Sequence, residues 1–165
     1  MWNKIYLLML AAAVLISIVL VYFAFSWLQS IGAPANVIEN YSYYSNIAKI
    51  FLWISTVVLL ILANVVLWKS RKSWALWTSL LYFAAFTVLE TFWLERLFYQ
   101  FKQASLPLSS GILWSPLLGV LLIVLMAVIV FFNQYLVKRL HDKMYLPEQP
   151  VGELPEEVSV DEKRV

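Results

Sequence analysis

No cysteine occurs anywhere in the 165 residues, and histidine occurs once. The first absence excludes disulfides, thiolate metal sites, iron–sulfur clusters and thiol nucleophiles. The second excludes a haem held between histidines of this chain, because His141 lies outside every apolar run. Charge is scarce as well. Asp, Glu, Lys and Arg make up 13% of the chain, against about 25% in a soluble domain. Phosphate-loop glycines, a Ser/His/Asp set and carboxylates paired at helical spacing are all missing, so no catalytic constellation or cofactor site is expected.

What is abundant is apolar. Hydrophobic residues make up 62% of the chain, and the mean hydropathy is +0.78. A single soluble core of this length has no room for so much apolar surface, which points to lipid as the solvent. Four runs are long enough to cross a bilayer, at residues 5–27, 47–68, 74–98 and 112–132. Backbone in hydrocarbon must satisfy its own hydrogen bonds, so each run is predicted to be a helix. The runs are apolar all round and lack the alternation of barrel strands. The expected fold is an all-α integral membrane protein, a four-transmembrane-helix bundle. The first run exceeds the ~7–15 apolar residues of a signal-peptide core and is read as a retained span.

Basic residues cluster at one set of run ends. With the N-terminus inside, one side carries Lys4, Lys69, Arg71, Lys72, Lys138, Arg139 and Lys143, and the other only Lys49, Arg96 and Lys102. Positive residues favour the cytoplasm, so both termini are expected there. Trp2, Tyr6, Trp27, Trp68, Trp74, Trp77, Tyr99, Trp114 and Tyr135 fall where aromatic belts mark the interfaces. The segment between the first two runs reads as a longer outer loop, with Gly32-Ala33-Pro34 breaking the first helix and Tyr41, Tyr43 and Tyr44 on the membrane surface. The Asn40-Tyr41-Ser42 triplet in it matches a glycosylation acceptor, a pattern without meaning in a bacterium. By contrast, residues 69–73 force the second and third runs into a tight antiparallel hairpin.

The chain divides into a transmembrane domain, residues 1–145, and an acidic proline-containing tail, 146–165. Within the first, residues 133–145 are expected to continue the last helix out of the membrane, placing Lys138, Arg139 and Lys143 on lipid headgroups. The tail is expected to be disordered or held by a partner. His141 is expected to be a solvated interfacial residue and not a metal ligand.

The sharpest question is Glu90, inside the third run. Counting roughly 1.5 Å per residue from Trp74 puts it about 24 Å along, in the outer third of the core. An acid at that depth is rarely left facing lipid. Lys49, Ser55 and Thr56 lie at matching depth on the second run, so an intramembrane polar cluster of Glu90 with one of them is expected. Glu95 and Arg96 read as outer-interface charges. Asn64, near the inner end, is assigned an interhelical hydrogen bond. Polarity therefore falls at two separate depths, with an apolar stretch between them.

Three functions follow from these residues. The first is a non-catalytic accessory or structural subunit of a larger membrane complex. The second is a small transporter or channel component using Glu90, and the third a lipid-modifying membrane enzyme. The expected apolar gap favours the first. The partners implied are the lipid bilayer and other membrane subunits, with no nucleic acid. The expected location is a bacterial inner membrane, with no cofactor.

Overall fold

The computed structural model describes residues 2–105 and 114–145, and every element among them is helical. In chain order these are α1 (Trp2–Gln29), α2 (Pro34–Ser70), α3 (Trp74–Val88), a π turn (Leu89–Leu94), α4 (Glu95–Ser105) and α5 (Trp114–Tyr145). Four helical stretches are long and apolar enough to cross a membrane: Trp2–Gln29, Pro34–Ser70, Trp74–Lys102 and Pro116–Met144. The third joins α3, the π turn and most of α4. It is the least apolar and the most buried of the four, and its interior face carries Ser79, Thr87 and Glu90.

The principal seams are α1 on α2, α2 on α3 and α3 on α5. Ala13 and Ala24 on α1, with Ala48 and Ala63 on α2, are buried and let backbones approach closely. Leu52, Leu59, Val66 and Leu67 of α2 pack with Leu76, Tyr82 and Phe83 of α3 and with Met126 and Val130 of α5. The outward residues of α1 and α5 are large and apolar, among them Leu8, Leu15, Val19, Leu121, Val128 and Phe131. That is the surface lipid requires, and in water it would be an aggregation hazard.

Several boundaries differ from the sequence reading. Residues 34–46, expected as loop, are helical, so α2 has 37 residues and only residues 30–33 connect it to α1. Pro34 supplies the reason. It takes the first helical position, where its missing N–H is no loss, and Ala33 before it is extended. Tyr41 consequently faces inward, buried and stacked on Phe98 at 4.4 Å, while Tyr43 stays exposed. Tyr6, near the start of α1, is fully buried.

The hairpin at residues 71–73 is as tight as expected. Arg71 ends α2 in the left-handed region (φ 54°), and its N–H caps Leu67 O at 2.9 Å. The last helix does run on to Tyr145 without a break. The tail at 146–165, Gly111 and the first residues of the fourth run lie outside the described residues.

Candidate functional site: a buried acid in a π turn

The π turn widens the helix where the polar residues concentrate. Glu95 N–H reaches back to Glu90 O, five residues away. Beside it, Thr91 Oγ1 donates to Thr87 O at 2.6 Å, so a side chain occupies a carbonyl at the entry to the wide turn. Wide turns of this kind recur at functional sites. The extra residue per turn also shifts the helical phase. Thr87, Glu90 and Leu94 all face the interior, and Glu95 turns toward α2 instead of outward. Across the bundle, Gly119 of α5 lies against Thr91. A Cβ at position 119 would sit 2.6 Å from Thr91 Oγ1, so only glycine allows this approach.

Glu90 is 3% exposed, and its Oε2 is sealed from solvent without a hydrogen-bond partner. The expected cluster divides differently. Lys49 pairs with Glu95, Nζ to Oε1 at 2.5 Å, and not with Glu90. Ser55 donates to Leu52 O and bonds Tyr82 Oη. Thr56 is fully buried with an unpartnered Oγ1. Lys49 and Glu95 are the charged groups whose fields reach Glu90, with the buried Tyr41 hydroxyl facing the same region. With the one ammonium taken by Glu95, Glu90 is the acid left over. Arg96 is exposed.

Above the ion pair lies a recess of about 200 Å³, lined by Tyr41, Ser45, Asn46, Lys49, Glu95 and Tyr99 among others. It opens the Lys49–Glu95 pair to the surface, and Lys49 is 39% exposed against 14% for Glu95.

The interior between the two expected depths is not apolar. Tyr82 Oη bonds Ser17 Oγ on α1 and Ser55 Oγ on α2, both at 2.8 Å, tying three helices at one point. Nearer the chain start, Tyr6 Oη donates to Ala75 O at 2.7 Å and lies 2.6 Å from Thr78 Oγ1 and 2.8 Å from Ser79 Oγ. Polar groups thus occupy successive levels along α3, the π turn and α4: Thr78 and Ser79, then Tyr82, then Thr87 and Glu90, then Glu95. Among the described residues, hydrogen bonds join groups within a level and not one level to the next. Tyr6 and Tyr82 escape a sequence reading because tyrosine at a span end or on an aromatic-rich face looks like belt or packing. Their signal was the helical spacing of Ser79, Tyr82 and Phe86, a face that mixes hydroxyls with rings.

At the basic end, Asn133 Nδ2 of α5 donates to Asn64 Oδ1 of α2 at 2.8 Å, an interhelical bond whose second residue the sequence reading passed over. His141 Nδ1 lies 3.2 Å from Arg71 Nη2, and its ring meets Trp68 edge-on at 5.4 Å. It is half-buried, not a simply solvated residue. Lys138, Arg139 and Lys143 are exposed along the same end of α5. Among the described residues, no group of three His, Asp or Glu side chains gathers to hold a metal ion. Comparison of the chain with protein-family models, with curated proteins and with solved structures finds no match.

Proposed function

We propose that this chain is a multi-pass membrane protein with both termini cytoplasmic, and that it works as a small carrier or channel component handling protons or a small cation through Glu90. The observation that carries the reading is the buried carboxyl of Glu90 inside a π turn, with one oxygen left without a hydrogen-bond partner. An ionised carboxylate in a dry interior requires a donor or a cation beside it. Lys49 is committed to Glu95, so the group that neutralises Glu90 is an exchangeable proton or cation. The hydroxyls of Tyr82, Ser17 and Ser55 extend polarity from that level toward the basic end and occupy the stretch that had spoken against this function.

The levels are separate, which fits a carrier that rearranges better than a standing pore. The π turn supplies a place to rearrange, since relaxing it to α geometry would change the direction in which Glu90 points. Two-sided orientation rests on the basic residues, which gather at the end of the bundle where Arg71 meets His141.

The accessory-subunit reading keeps one supporting observation. The span in α5 is the least buried of the four, leaving a long apolar face that another helix could cover.

Flux separates the two. Purified protein in liposomes is given a proton or sodium gradient, and wild type is compared with Glu90→Gln. The carrier reading requires flux above empty liposomes that is lost in Glu90→Gln. Flux equal in both variants, or absent from wild type, would remove it. In the second outcome, stoichiometric partners in a mild-detergent extract would support the subunit.

A further inference from the structure

The seam between the end of α2 and the end of α5 forms a recess of about 200 Å³, far from Glu90. Leu67, Trp68 and Val137 line it with apolar surface, and Arg71, Lys138, His141 and Asp142 supply its polar groups. We infer that this recess binds the phosphate of an acidic phospholipid, with an acyl chain lying along the apolar wall below it.

Four observations support that occupant. The first is position. Leu67 and Trp68 end the apolar stretch of α2, and Val137 lies where α5 turns from apolar to basic, so the recess spans headgroup and upper acyl depth. The second is charge. Arg71 and Lys138 outnumber Asp142 within it, and Lys69, Lys72, Arg139 and Lys143 are close neighbours of its lining residues in the sequence. Such clusters next to a span attract anionic headgroups.

The third is preorganisation. Arg71 is held in the left-handed conformation by its capping bond to Leu67 O, and its Nη2 is placed 3.2 Å from His141 Nδ1. A guanidinium only donates, so Nδ1 accepts, and among the described residues the remaining guanidinium edges stay available for the paired oxygens of a phosphate. The fourth is the Trp68–His141 edge contact, which fixes the imidazole as a wall of the recess. The α2 carbonyl end opposes an anion. Lys69 in that last turn and Arg71 at the C-cap offset it.

The test is native mass spectrometry of the full chain in mild detergent, titrated with phosphatidylglycerol or phosphatidylcholine. A Lys4→Gln variant, basic at the same end but outside the recess, serves as control. Wild type and Lys4→Gln should retain phosphatidylglycerol in preference to phosphatidylcholine. Arg71→Gln with Lys138→Gln should bind phosphatidylglycerol roughly tenfold more weakly or worse. Both changes lie at exposed positions, and unchanged unfolding in detergent verifies that the fold survives. If the double variant misfolds, Lys138→Gln alone carries the test with a smaller expected loss. Equal retention of the two lipids, or equal retention by wild type and variant, would overturn the inference. So would displacement of the lipid by millimolar inorganic phosphate, which would mark a soluble anion as the occupant.

Discussion

Replacing Tyr82 with Phe removes one oxygen and nothing else, yet that oxygen is the point where three helices meet. It bonds Ser17 on α1 and Ser55 on α2 at 2.8 Å each. Ser55 keeps its bond to Leu52 O, whereas Ser17 has Tyr82 as its hydrogen-bond partner and is left buried without it. Interhelical hydrogen bonds in membranes average about 0.6 kcal/mol and reach about 1.7. Two such bonds, with one hydroxyl stranded, give an expected loss of about 1–2 kcal/mol. Ser17→Ala should lose less, about 0.6 kcal/mol, because it removes one bond and strands nothing on α2. The two changes remove the same bond, so together they should fall short of their sum by roughly 0.5 kcal/mol or more. The assay is reversible unfolding in mixed dodecylmaltoside and SDS micelles, followed by the fluorescence of the eight tryptophans. A loss under about 0.3 kcal/mol for Tyr82→Phe, or strict additivity with Ser17→Ala, would refute the three-helix tie.

The same assay checks three further expectations. Gly119→Ala forces a Cβ onto Thr91, which is anchored through Oγ1 to Thr87 O, so about 1–3 kcal/mol should be lost and largely recovered when Thr91→Ala is added. Lys49 is partly exposed, so its pair with Glu95 should show a coupling of no more than about 1 kcal/mol in a Lys49→Met, Glu95→Gln cycle, shrinking as salt is added. Asn133→Leu should cost about 0.6 kcal/mol by removing the bond to Asn64, which retains its own bond to Leu60 O. Orientation has a separate check, made clean by the absence of native cysteine. A cysteine at exposed Gly32 should react with an impermeant maleimide in intact cells, and one at exposed Lys72 only after permeabilisation.

The number of helices long and apolar enough to cross a membrane was legible in the sequence, because the length of each apolar run records it. The boundaries were less so. The helical stretch at 34–46 mixes Asn, Ser and Tyr, a composition that matches loop as well as helix. Only the Pro34 start and the inward faces of Val37, Tyr41, Ser45 and Ala48 reveal it as helix, and those faces exist only once α1 packs against it. Glu90 was legible as the unusual residue, since any acid in a run of that length stands out. Its pairing was not. Depth matching treats the third run as a regular helix, which sets Glu90 and Glu95 on different faces and leaves Lys49 for the deeper acid. The π turn changes that phase and hands Lys49 to Glu95. The hydroxyl level at Tyr82 was hidden for a related reason, since a tyrosine in an aromatic-rich span shows its partner only in three dimensions.

Infrared difference spectroscopy watches the Glu90 carboxyl directly and tests whether it exchanges a proton or cation. Wild type and Glu90→Gln are reconstituted in lipid films, and spectra are taken across a pH step and across addition of sodium. Wild type should give a carboxyl signal in the difference spectrum that is missing from Glu90→Gln. Difference spectra that superimpose for the two proteins would contradict it and leave Glu90 as a packing residue.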